Sequence, residues 1–253
     1  MRRIAASVGA AAALAALLAA CATDPEAGSD GNGIDGTLTV YAAASLRSVF
    51  DDLALRFEAR HPGIDVLPIV ADGSTSLATQ ILEGAPADVF ASADERTMTL
   101  VAEMSAPPEL FASNTLVLVA PATSGVTSLA DLADPALTVV LCAPDVPCGA
   151  ASTALLDAVG VEVAPASLEQ NVTAVLAKVT AGEADAGLVY ATDARGIPDI
   201  IVIEPEGAVD VVNRYPITVM DDAGNPVAAA AFVDFVLGDE GQQVLADAGF
   251  GGP

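Results

Sequence analysis

The chain predicts an α/β fold with mostly parallel sheets and helices on both faces. Three observations carry that reading. Short apolar runs alternate along the chain with segments whose apolar residues recur at three- and four-residue spacing. The run 115–120, Thr-Leu-Val-Leu-Val-Ala, is apolar without polar alternation, as a strand covered on both faces must be. Breaks between elements fall at turn formers such as His61-Pro62-Gly63. Ligands in such sheets sit at the carboxyl ends of strands, beside helix N-termini.

Taken in order, residues 38–42 read as a strand. Residues 46–59 follow as a helix, with Leu46, Val49, Phe50, Leu53 and Phe57 on one face. Residues 65–70 are a second strand, 75–83 a helix, 88–91 a strand and 94–103 a helix. The buried strand 115–120 follows, then a strand at 137–141 and helices at 149–159 and 172–181. Strands at 186–190, 200–203 and 217–220 precede closing helices at 226–237 and 239–248. Pro226 suits a first helical turn. A second domain spans 121–213, with the chain crossing at 117–121 and returning at 212–217. Segments 37–120 and 214–253 then make the first. There is no internal repeat, no P-loop and no Gly-x-Gly-x-x-Gly.

Composition excludes some partners. The net charge of the 253 residues is -25, from 9 basic and 34 acidic side chains. Phosphate contacts need clustered Lys and Arg, so nucleic acid is not a partner. An anionic membrane surface repels such a domain, and the acidity suggests a soluble monomer. Aromatic residues are 4% of the chain and Trp is absent, so Ala, Val and Leu build the core.

The N-terminus is a targeting segment and not part of the fold. Met1-Arg2-Arg3 is a positive region, residues 4–20 are apolar, and Leu18-Ala19-Ala20-Cys21 resembles the lipobox of bacterial lipoproteins. On that resemblance 1–20 is a signal peptide and Cys21 carries lipid; an uncleaved membrane anchor is the competing reading. Residues 21–36, rich in Gly, Asp and Ser, form a flexible tether. Two cysteines remain, Cys142 and Cys148, six positions apart across a Pro-containing loop. In an exported protein they pair as a disulfide. Zinc competes, but His61 is the only histidine and no second ligand pair exists. Two free thiols are the remaining alternative.

Two segments concentrate the functional signal. In Val40-Tyr41-Ala42-Ala43-Ala44-Ser45-Leu46 and in Asp72-Gly73-Ser74-Thr75-Ser76-Leu77, a strand ends in small residues, then a serine opens a helical pattern. Backbone N–H groups at such ends lack internal partners. Two of them facing one cleft make a pocket of donors for a small anion, bound by dipoles despite the acidic chain. Taken alone, Ser45 and Ser74 are also ordinary N-caps. Thr75 and Ser76 read as helix-start residues, Asp94 as another, and Asp88 as a turn or packing group. Arg47 reads as a solvated side chain, and His61 as a surface residue at a helix end.

The run Tyr-Ala-Ala-Ala-Ser-Leu at 41–46, and the run 77–94 ending Ala-Pro-Ala-Asp-Val-Phe-Ala-Ser-Ala-Asp, resemble the molybdate-binding proteins of bacterial ABC transporters. Val146-Pro147-Cys148-Gly149, Asn171-Val172 and Gly187-Leu188-Val189-Tyr190 fit in order, so the likeness covers about 37–250. The resemblance implies a type II periplasmic-binding fold: two α/β lobes, two crossover strands and a cleft that closes on a tetrahedral oxyanion. It implies a hydroxyl and an N–H from each of Ser45 and Ser74, backbone N–H groups from Cys148 and Val172, and the phenol of Tyr190. Cys148 stands where the family has a small residue; its N–H preserves the role. The implied ligand is molybdate or tungstate, with no cofactor, no cation-ligating residue and no catalytic residue. The implied partner is an ABC permease on the extracytoplasmic face, with membrane attachment through lipid alone.

Chemistry agrees. An all-donor site suits an anion without a proton, whereas monohydrogen phosphate needs an acceptor for its O–H. Sulfate, another oxyanion or an organic acid remain alternatives. A serine-dependent enzyme needs a base, and neither His61 nor the mid-helix Lys178 is well placed. A divalent-cation scavenger lacks the clustered acidic loop it needs.

Overall fold

Residues 34–253 are described by a computed structural model; the signal-peptide segment, Cys21 and nearly all of the tether lie outside them. From the N-terminal side, β1 (Gly36–Leu38) leads into β2 (Val40–Ala43), whose four residues are all buried. A single 3-10 turn, Ala44–Leu46, then opens α1 (Arg47–Arg60). The predicted apolar face of α1 is the buried one: Val49, Phe50, Leu53, Ala54 and Phe57. Phe57 meets Phe232 edge-to-face at 5.2 Å, and Phe50 meets Phe111 at 5.8 Å. Such pairs add about 0.5–1.5 kcal/mol each beyond area burial.

The first lobe continues through β3 (Ile64–Val66), β4 (Val70–Asp72), α2 (Ser74–Leu82), β5 (Val89–Ala91) and α3 (Glu95–Met98). The long β6 (Glu109–Pro121) leaves it. The second lobe holds β7 (Val139–Cys142), α4 (Pro147–Val159), β8 (Ser167–Glu169), α5 (Val172–Thr180), β9 (Ala186–Tyr190), the short α6 (Ala191–Ala194) and β10 (Ile200–Ile203). The return strand β11 (Val212–Val219) carries the chain back to α7 (Pro226–Leu237) and α8 (Asp239–Ala248), which flank the first lobe.

The main sheet has the order β4-β2-β5-β11-β6-β9-β7-β8, with β10 on β6. β6 serves both lobes. Its residues 109–115 pair with β11, and its residues 116–119 pair with β9. Within each lobe, β2 with β4 and β5, and β7 with β8 and β9, pair in parallel. Pairings that involve β6 or β11 are antiparallel. The fold is therefore a type II two-lobe α/β architecture whose sheet is mixed at its centre. A strand leaving a lobe and a strand returning to it must run in opposite directions.

Several elements differ from the sequence reading. The strand predicted at 65–70 is two strands, β3 in a separate pair with β1 and β4 in the main sheet. Pro68 lies between them and cannot donate to a ladder. The helix predicted at 94–103 is one α-turn, α3, followed by 3-10 winding over Thr99–Met104. Helix α4 begins at Pro147, two residues before the expected start, which puts Cys148 in its first turn. Arg47 is not a free solvated side chain: its guanidinium donates to the carbonyls of Ile69 and Ala71, at 3.3 and 3.0 Å.

Candidate functional site

The site forms where strand ends deliver helix starts. Ser45 lies in the 3-10 turn after β2, and Ser74 is the first residue of α2 after β4. Cys148 is second in α4, Val172 is first in α5, and Tyr190 is the last residue of β9. All five line one cavity of about 20 Å³, together with Ala43, Ala44, Gly73, Ala93, Pro147, Gln170 and Asn171. No charged side chain lines it. First-turn N–H groups have no acceptor within their own helix. Neither α2 nor α4 has a side-chain cap, so their leading donors are unclaimed by any cap. The aligned peptides add partial positive charge at the same point.

The hydroxyls are prepared as donors. Ser74 Oγ accepts a hydrogen bond from the Ala93 N–H at 3.0 Å, which leaves its own proton free. The Ala93 peptide is held in turn by Asn213, whose Nδ2 donates to the Ala93 carbonyl at 3.0 Å. Ser45 Oγ lies 3.2 Å from the Tyr215 hydroxyl. With Tyr215 donating, the Ser45 proton is also free. The Tyr190 hydroxyl is fully buried and has no hydrogen-bond partner among the described residues. Burial pushes both phenols well above their ordinary range, so both remain protonated donors. A buried donor without an acceptor is costly, and a bound anion supplies one.

Two glycines admit the close approach. A Cβ on Gly73 would lie 2.2 Å from the Gln170 carbonyl oxygen, across the cleft. One on Gly149 would lie 1.7 Å from the Ala143 carbonyl oxygen. Cys142 and Cys148 lie at disulfide distance, with Cα atoms 5.7 Å apart. A disulfide between them would close the loop that carries the start of α4.

Other candidates fall elsewhere. Asp94 caps α3, its carboxylate accepting from Thr97 N–H at 2.8 Å. Buried Asp88 accepts from the N–H groups of Thr39 and Asn225, at 2.7 and 3.1 Å. Lys178 is bonded to Glu169 at 2.5 Å and to Ser167 at 3.0 Å, a contact that holds the Glu169 carboxyl below its usual range. His61 ends α1 against Phe57, with ring centroids 4.6 Å apart. Neither base lines the cavity with Ser45 or Ser74. Among the described residues no group of three or more His, Cys, Asp or Glu is placed to hold a metal ion. Tyr215, Ala93 and Asn213 were invisible to sequence reasoning, because they act on the serines across 19 to 170 positions of chain.

Two lobes meeting at a small, uncharged cavity rimmed by donors define a solute-binding protein. Residues 38–251 match the family described as bacterial extracellular solute-binding protein, and the chain belongs to that family. It is 43% identical to the molybdate-binding protein ModA of Mycobacterium tuberculosis (strain ATCC 25618 / H37Rv) over 263 aligned positions, covering 100% of both. It is 32% identical to ModA of Escherichia coli (strain K12), covering 85% of this chain and 89% of that one. In fold it is similar to the periplasmic molybdate-binding protein of Azotobacter vinelandii, with TM-score 0.73 and 23% identity over 85% of this chain and 99% of that chain.

Proposed function

We propose that the protein captures molybdate, and tungstate with it, for an ABC importer, and that it is not an enzyme. Ser45 and Ser74 each give a hydroxyl and an N–H, Cys148 and Val172 give N–H groups, and Tyr190 gives its phenol. The observation that carries the reading is the convergence of these five residues on one cavity without a charged side chain. A cavity of about 20 Å³ suits a compact ion. Organic ligands occupy pockets of roughly 300–1,000 Å³. Carboxylates are absent from the lining, which favours an anion with no proton to donate. The 43% identity to a molybdate-binding protein supports the same ligand. Segments 37–120 and 214–253 form one lobe and 121–213 the other, closing about the β6 and β11 crossovers. Lipid on Cys21 holds the monomeric protein to the outer face of the membrane, where the closed form docks on the permease.

Thermal unfolding of the purified chain against molybdate, tungstate, sulfate, phosphate and citrate tests this. Ligand at about a thousand times its dissociation constant stabilises by roughly 4 kcal/mol. That raises the melting temperature by on the order of 10 °C. The shift is expected with molybdate and tungstate, and it should vanish in a Ser45→Ala/Ser74→Ala variant that still folds. A shift with sulfate alone replaces the ligand; no shift with any oxyanion discards the reading.

A further inference from the structure

Beyond the cavity, the lobes touch through direct polar contacts. On one side, the Asp145 carbonyl accepts two hydrogen bonds from the opposite lobe: one from Thr75 Oγ1 at 3.1 Å and one from Arg96 Nη2 at 2.8 Å. On the other, Asp72 Oδ1 accepts from Asn171 Nδ2 at 2.8 Å and from the Gly73 N–H at 2.7 Å. The first pair seizes the loop between β7 and α4, which a Cys142–Cys148 disulfide would close. That loop ends at Cys148, which lines the cavity. Thr75 is likewise the neighbour of Ser74. The same short segments therefore face both the cavity and the opposite lobe.

We propose that Arg96 is a positioning residue for binding: its bond to the Asp145 carbonyl latches the closed cleft and sets how slowly the anion leaves. The inference rests on the binding reading above. Arg96 suits the role by reach and charge. Its guanidinium is anchored beside Asp94 at 3.7 Å, on the turn that follows the β5 end of the site. It spans the cleft mouth to a carbonyl on the loop that this disulfide would close. The bond exists only with the lobes together. By linkage it favours the closed state and leaves the open state alone. The latch therefore slows opening, and with it dissociation, while association to the open cleft is unaffected. The Arg96 side chain is 56% exposed, so its effect is that of one charge-assisted bond in contact with water.

Stopped-flow kinetics with molybdate on the wild-type chain, Arg96→Ala and Arg96→Lys test it. Arg96→Ala is expected to release molybdate about tenfold faster, a change of about 1.4 kcal/mol, with its association rate and its ligand-free melting temperature unchanged. Arg96→Lys, which keeps a charged donor, should recover part of the loss. Dissociation at the wild-type rate in Arg96→Ala overturns the latch. So does faster release matched by an equal loss of ligand-free stability and no recovery in Arg96→Lys, since that marks a merely structural side chain. A wild-type chain that binds no molybdate overturns the binding reading itself, and the latch with it. A wild type that binds, beside an unaltered Arg96→Ala, overturns the latch alone.

Discussion

Asp193 sits three residues past Tyr190, and its Oδ2 is buried with no hydrogen-bond partner among the described residues. Desolvation raises its carboxyl from 3.8 to about 7, partly offset by a bond from the Tyr190 backbone. The folded state thus holds the Asp193 proton more tightly than the unfolded chain does. Its stabilising contribution is complete below about pH 4 and is lost as pH rises to about 7, above which the buried charge is a penalty. Asp193→Asn removes the charge and keeps an acceptor for the backbone donor. The variant is expected to melt about 3–6 °C above the wild type at pH 8, for a gain of roughly 1–2 kcal/mol, and level with it at pH 4. Calorimetry at the two pH values decides; an equal difference at both would place the effect in packing and not in ionisation. The hydroxyl residues show the opposite arrangement. Ser74 has its oxygen engaged by the Ala93 N–H, which leaves its proton for the cavity, and Ser45 has the same arrangement when Tyr215 donates.

Among the elements, the loop from Cys142 to Cys148 has the most to do, since it starts α4 at the cavity and meets Thr75 and Arg96 across the cleft. A disulfide between these cysteines, six positions apart, would close a short loop, for which chain entropy gives about 2 kcal/mol of stabilisation. Cys142→Ala is expected to lower the melting temperature by about 4–8 °C while molybdate still raises it, because the proposed role of Cys148 uses its N–H and not its sulfur. Loss of the molybdate response in this variant would show that loop rigidity, and not the N–H alone, is required. Elements with one clear period or punctuation were legible in the sequence: α1 from its apolar face, α7 from Pro226, and β9 from its unbroken apolar run. Those governed by tertiary pairing were not. The first part of β6, Glu-Leu-Phe-Ala-Ser-Asn, mixes polar and apolar residues with uneven burial and shows no clean alternation. β8 is three residues long with Leu168 exposed, and offers too little pattern to read. The pattern of strand, small residue and serine marked Ser45 and Ser74, whereas Cys148, Val172 and Tyr190 were named only through the family resemblance. The residues that aim them, Tyr215 and Asn213, belong to the returning crossover, and nothing local marks them.

At the scale of the whole molecule, a binding site for an anion lies in a chain of net charge -25. Two fields act on an approaching dianion. The helix starts attract it, but their partial charges fade within about a turn of the cavity. The net charge repels it from farther off, over a distance that salt controls: about 30 Å at 0.01 M ionic strength and about 8 Å at 0.15 M. Outside the cavity the repulsion therefore dominates at low salt and is largely screened at physiological salt. Electrostatically steered association slows as salt is added; here the sign is reversed. The association rate of molybdate is expected to rise severalfold between these two ionic strengths. Dissociation, governed by contacts inside the closed cleft, should change little. Stopped-flow measurement at fixed pH, with an inert monovalent salt, separates the two rates. An association rate that falls with salt would mean that the dipoles reach beyond the cleft mouth and outweigh the acidic surface. A rate that rises would mean that selectivity and retention come from short-range geometry alone, with the acidic surface setting the speed of capture.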